Sequence, residues 1–189
     1  MRRIDGKAAY LSYVSPTQIN VQAPADTPRR SVPVVVSTEF GSATSNLTLA
    51  QFAPSFFLLD AKHVAGIILR VNGSYDIIGP TGTSLGYPTV AAKAGDSVAL
   101  FGTGFGPTNP AVPAGQAFSG AAATTNPVTV KINNVSVPTA FAGLSSAGVY
   151  QINLTIPSGL GTGDVVLQAS VGGVQTPAGV VISLRLTDQ

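Results

Sequence analysis

The sequence predicts an all-β fold: two tandem immunoglobulin-like β-sandwich units, the first lacking its leading strands. Three observations carry this expectation. Helical periodicity is nearly absent, and apolar residues instead recur with period two in short runs bounded by Gly, Pro, Asn and Ser, which is the strand signature. The composition is 44% hydrophobic and only 10% charged, with 21 Gly and 14 Pro as punctuation, whereas globular chains average roughly 25% charged. Finally, one phrase occurs twice. Gln18-Ile19-Asn20-Val21-Gln22-Ala23-Pro24 returns as Gln151-Ile152-Asn153-Leu154-Thr155-Ile156-Pro157. Internal similarity of this kind marks two related units, and 189 residues are enough to bury a sizeable core.

The elements follow in order. A partial immunoglobulin-like unit is expected over 1–57, with strands at 8–14, 18–23, 32–37 and 45–51 and a stop at Ala53-Pro54. Residues 58–88 form a β-hairpin and connector: the runs 64–71 and 75–78 flank Asn72-Gly73-Ser74, and Asn-Gly favours a tight hairpin because both residues tolerate φ > 0. A full immunoglobulin-like unit is expected over 89–189, with strands at 90–93, 97–101, 128–132, 135–142, 149–156, 164–171 and 179–186, and a Pro/Gly/Ala-rich loop over 108–120. Short strands at this spacing fit the immunoglobulin pattern.

Overlaying the repeats places 8–12 on 139–143, 32–37 on 165–170 and 45–51 on 178–184. The first unit then has no counterpart of 95–132. A sandwich without its leading strands presents open edges and an uncovered core face. Residues upstream, the 58–88 segment or another chain would complete it.

Little in the sequence points to chemistry. There is no cysteine, so disulfides, thiol catalysis and Cys-ligated metals are excluded. The net charge is +2, from ten basic and eight acidic side chains. The only basic pairs, Arg2-Arg3 and Arg29-Arg30, do not make the phosphate-neutralising stripe that nucleic acid requires. The acids Asp5, Asp26, Glu39, Asp60, Asp76, Asp96, Asp164 and Asp188 stand singly, without the paired carboxylates of a glycosidase or the grouped oxygens of a calcium site. Asp96 and Asp164 each follow a glycine at a strand entry, where a carboxylate accepts turn N–H bonds.

Gly102-Thr103-Gly104-Phe105-Gly106 is followed by Pro107 rather than a helix, so it reads as a turn beside a packed Phe105 and not as a dinucleotide loop. The single histidine, His63, has no sequence neighbourhood of a Ser-His-Asp type. Asn46, Asn72, Asn134 and Asn153 begin glycosylation-type triplets that chance explains in so Asn/Ser/Thr-rich a chain. The paired Gln18/Asn20 and Gln151/Asn153 are the best polar candidates. Alternation puts them on one strand face, opposite the core-directed Ile19/Val21 and Ile152/Leu154, in a hydrogen-bond network with the preceding loop.

Several phrases resemble a known family. These are Tyr13-Val14-Ser15-Pro16-Thr17-Gln18-Ile19-Asn20, Ala53-Pro54-Ser55-Phe56-Phe57, Gly102-Thr103-Gly104-Phe105-Gly106-Pro107, Phe141-Ala142-Gly143-Leu144, Tyr150-Gln151-Ile152-Asn153 and Gly172-Gly173-Val174-Gln175-Thr176. In this order they resemble the Solibacter-type C-terminal domain of large secreted acidobacterial proteins, and 95–107 resembles the opening of an IPT/TIG-type domain. The resemblance implies a secreted, non-catalytic module and transfers no catalytic or ligand residues. Members continue upstream of Asp5-Gly6-Lys7.

The expectation is therefore a non-catalytic structural or protein-interaction module of a secreted or cell-surface protein. No catalytic, cofactor-binding or metal-binding residue is assigned. Its partner would be a protein, or a second copy, on an exposed sheet edge, with neither nucleic acid nor a membrane span involved. The alternative is a carbohydrate- or matrix-binding module, which needs an aromatic platform built from Tyr10, Tyr13, Tyr75, Tyr87 or Phe118. No signal peptide lies within the sequence, since Met1-Arg2-Arg3 runs into Ile4-Asp5-Gly6-Lys7 and not into an apolar stretch.

Overall fold

The computed structural model describes residues 2–24 and 30–186; Asp26, Arg29 and Asp188 lie outside them. Among the described residues all regular structure is β, and the strand ladders are antiparallel. No helix among the described residues is long and apolar enough to cross a membrane.

The N-terminal strands are β1 (Arg2–Ile4), β2 (Lys7–Ala8), β3 (Tyr10–Val14), β4 (Ile19–Gln22), β5 (Ser31–Thr38) and β6 (Gly41–Thr48). They form a four-stranded sheet in the order β2-β1-β5-β6 and a separate two-stranded sheet, β3-β4. Next come β7 (Ser55–Phe56), β8 (Gly66–Leu69), β9 (Tyr75–Ile77), β10 (Ser97–Thr103), β11 (Thr108–Asn109), β12 (Ser119–Thr124) and β13 (Val128–Ile132). The chain ends with β14 (Val135–Val137), β15 (Thr139–Ser146), β16 (Val149–Thr155), β17 (Gly163–Val171), β18 (Val174–Gln175) and β19 (Val181–Leu184).

From β7 onward the strands make two larger sheets. The first runs β11-β12-β15-β16-β10-β8-β9, with β7 also on β10. The second runs β14-β13-β17-β18, with β19 also on β17. Both sheets feed one core. Val98, Leu100, Ile152 and Leu154 from the first meet Val130, Ile132, Val165, Leu167 and Ile182 from the second. Alternation explains the partition: β13 reads buried, exposed, buried, exposed, buried along Val128-Thr129-Val130-Lys131-Ile132.

Segment 58–88 holds the β8–β9 hairpin around Asn72-Gly73. It hydrogen-bonds to β10 and places Ile68 and Ile78 in the same core. Two expected strands divide where the chain changes sheets. The run 135–142 breaks at Pro138, between β14 and β15, and the run 8–14 breaks at Ala9, between β2 and β3. The run 90–93 forms no strand. Val90 donates to the Ile77 carbonyl and Ala92 to that of Ser183, so successive contacts go to different sheets and no ladder forms.

The repeat also reaches further forward than the overlay predicts. Ile4 pairs with Val34 as Ile132 pairs with Leu167. The hairpin turns match as well. Asp5 and Gly6 have φ of 50° and 74°, and Asn133 and Asn134 have φ of 48° and 63°, the double positive φ of a type I′ turn. Thus β1, β2, β3, β4 and β5 repeat β13, β14, β15, β16 and β17 in sheet order, and β6 takes the place of β18 and β19. Phrase matching misses β1 because the turn residues differ, Asp-Gly against Asn-Asn.

Candidate functional site

The two copies of the repeated strand are built alike and surrounded differently. In β4 the Gln18 amide donates to Asn20 Oδ1 at 2.7 Å; in β16 Gln151 donates to Asn153 Oδ1 at 2.8 Å. These bonds run along the strand, not back to the loop as expected. The loop contact lies instead at Ser15, whose Oγ accepts the N–H groups of Thr17 and Gln18.

β16 is central, paired with β15 on one side and β10 on the other. Ile152 and Leu154 are 1% and 2% exposed. Among the described residues β4 pairs with β3 alone. Its Ile19 is only half-buried and its Val21 is 39% exposed. The core orientation expected of Ile19 and Val21 is therefore realised without the cover that would seal it. Both line an apolar cavity of about 110 Å³ with Ile4, Ala9, Val34 and Val36. Arg2 and Arg3 close its lining, and Arg2 Nε is buried without a hydrogen-bond partner.

Outside the hairpin a groove of about 670 Å³ runs along β4, walled by Tyr10, Leu11, Phe57, Thr103 and Gly115. The Gly115 N–H donates to Gln22 Oε1 at 2.9 Å. The Tyr10 ring lies so close to Gly115 that a Cβ there would sit 2.2 Å from it. Tyr10, Leu11, Tyr13, Val14 and Val21 are all more than a third exposed. Two short strands thus carry several exposed apolar side chains beside an open edge, and such an edge is a template for another strand.

The aromatic candidates are dispersed. Tyr10 and Tyr13 lie on β3, Tyr75 on β9, and Tyr87 and Phe118 between strands. The ring contacts seen among the described residues join Phe105 to Phe56 and to Tyr150 instead. That cluster belongs to the glycine loop. Gly104 has φ +76°, and a Cβ there would lie 1.9 Å from the Ala53 carbonyl oxygen. Ala53 donates to the Gly104 carbonyl at 2.9 Å, and the Tyr150 hydroxyl donates to that of Gly106. Burial raises the Tyr150 pKa, which keeps the phenol protonated as a donor. The loop clasps the 53–56 segment against Phe105.

His63 is not as isolated as the sequence implies. It is 5% exposed, with Nδ1 at 2.8 Å from Asp60 Oδ2 and Nε2 at 3.1 Å from Asp164 Oδ2. Asp164 also accepts from Lys62 at 2.6 Å and from the Ser183 hydroxyl at 2.8 Å. A His, two carboxylates and a Ser do converge, but Ser183 faces Asp164, and both ring nitrogens already face carboxylates. No ring nitrogen remains to take a proton from a nucleophile.

Asp60 is held well below the usual carboxylate range by the backbone N–H groups of His63 and Lys62, then by the His63 ring. Burial pushes Asp164 up, but hydrogen bonds from Lys62, Ser183 and His63 outweigh it and lower its pKa. Asp96 takes the turn role expected of it, accepting the Lys93 N–H at 2.9 Å. Asp164 bonds side chains of β19 and of the 60–63 loop in place of its own turn. Among the described residues no group of three His or acidic side chains is placed to hold a metal ion.

No protein-family model matches the chain, and no curated protein matches it.

Proposed function

We propose that this chain is a non-catalytic interaction module of a secreted or cell-surface protein, and that it binds a polypeptide through the open edge of the β3–β4 hairpin. One observation carries the reading: among the described residues β4 has a single strand neighbour where β16, bearing the same phrase, has two. Extended segments add to such edges through main-chain hydrogen bonds, while side-chain pockets select among them. The low charge and the absence of cysteine accord with an exported module stabilised by core burial. The carbohydrate reading has no comparable support, because the five candidate aromatics are spread over separate elements.

A displayed peptide library tests the proposal. Peptides selected on the chain are expected to lose binding to Val21→Lys, since a charge on an edge strand opposes strand addition. Peptides that bind Val21→Lys equally well would contradict it, and so would reproducible glycan-array hits without peptide binding.

A further inference from the structure

We infer that the edge of β4 accepts one antiparallel strand from a partner polypeptide, with branched apolar residues at two alternate positions, a small residue between them and an acidic flank. The inference rests on the interaction reading above and adds to it the register and the residue types of the occupant.

The second half of the chain supplies the template. There β10 lies antiparallel to β16, with Val98 opposite Leu154, Ala99 opposite Asn153 and Leu100 opposite Ile152. Val98 and Leu100 are fully buried, in one core cluster with Ile132, Ile152, Leu154, Leu167 and Ala169. The repeat maps those five walls onto Ile4, Ile19, Val21, Val34 and Val36, since Ile4 pairs with Val34 as Ile132 pairs with Leu167, and Arg2 with Val36 as Val130 with Ala169. All five line the 110 Å³ cavity. The cavity is thus the second core without the two side chains that β10 contributes.

An occupant in the same register sets its first branched residue against Val21, its small residue against Asn20 and its second branched residue against Ile19. Pairs of this kind directly across an antiparallel ladder are the unit of sheet stabilisation. Charge selects the flank. Arg2 stands in the cavity lining, and its Nε is buried without a hydrogen-bond partner. In the template, Asp96 immediately precedes β10.

The probe is a synthetic peptide of residues 95–104, Gly-Asp-Ser-Val-Ala-Leu-Phe-Gly-Thr-Gly, added to the full chain and followed by calorimetry and amide exchange. We expect one peptide per chain, slowed exchange over Ile19–Gln22, and at least about tenfold weaker binding when the peptide carries Val98→Ser and Leu100→Ser. Equal binding of the two peptides would overturn the side-chain register while leaving the edge interaction standing. If neither peptide binds but library peptides sensitive to Val21→Lys do, the inference falls and the interaction reading survives. If no peptide of any kind binds, both fall. Protection of Ile19–Gln22 by raising the chain's own concentration, with a dimer mass in light scattering, would make a second copy the occupant and overturn the inference.

Discussion

Ile152 and Ile19 occupy the same position in the repeated phrase, yet their environments differ. Ile152 is 1% exposed and packs in the shared core, so Ile152→Ala is expected to cost ~2–5 kcal/mol in chemical denaturation. A loss under about 1 kcal/mol, below that cavity range, would contradict its inward packing. Ile19→Ala, at a half-buried position beside an existing cavity, should cost less than Ile152→Ala, because less surface returns to water. Gly104 makes a second contrast. At Gly73, φ is +84° and open space surrounds the missing Cβ, so Gly73→Ala incurs only the left-handed backbone penalty of ~1–2 kcal/mol. Gly104→Ala adds a clash with the Ala53 carbonyl and should cost roughly twice as much or more. Similar losses for the two alanines would mean that the 53–56 segment yields without penalty. At this scale the packing of Phe105 was legible, but the turn expected over 102–106 starts later, because Gly102 and Thr103 pair with Phe56 and Ser55 as the end of β10. The surroundings of His63 were not legible. Asp164 and Ser183 lie 101 and 120 positions away in the chain, and only the β17–β19 pairing, Asp164 opposite Ser183, brings them there.

Between elements, the 60–63 loop is stapled to β17 and β19. His63 and Lys62 reach Asp164, and Val64 and Val181 exchange bonds with the loop, Val64 N–H to the Val181 carbonyl and Val181 N–H to that of Lys62. Because folding lowers the pKa of Asp60, its contribution is fully present above the ordinary carboxylate value of about 3.9 and is lost as pH falls below it. Stability followed by urea melts should therefore decline from about pH 4 downward, and Asp60→Asn should flatten that decline while lowering stability at neutral pH. An unchanged acid limb in Asp60→Asn would remove Asp60 from the account. Most long elements were visible in the alternation: β5, β13, β16 and β17 fall where the period-two runs lie. β12 was not, because Ser119-Gly120-Ala121-Ala122-Ala123-Thr124 has low strand propensity. It is a strand through its pairing with β15, a tertiary effect that local composition does not encode. The two-residue strands β7, β11 and β18 escape for the same reason.

For the molecule as a whole, the repeat is a repeat of topology. The order β2-β1-β5-β6 mirrors β14-β13-β17-β18, and β3-β4 mirrors β15-β16. The absent counterparts of β10 and β12 leave both sides of the β3–β4 hairpin without a neighbour among the described residues. The overlay of the two phrases leaves 95–132 without a match, in line with the single strand neighbour of β4 among the described residues. It did not show where the deficit opens, since the cavity and groove depend on how the hairpin leans toward Gly115. Local stability should follow the same division, as amides in doubly paired core strands open only with large free energies while singly paired edges open readily. The direct measurement is amide hydrogen exchange of the full chain, comparing Ile19–Gln22 with Val149–Thr155. The structure predicts that the second segment exchanges more than about 100-fold more slowly on average. Equal protection of the two copies in dilute, monomeric chain would contradict the open edge on which the proposed function depends.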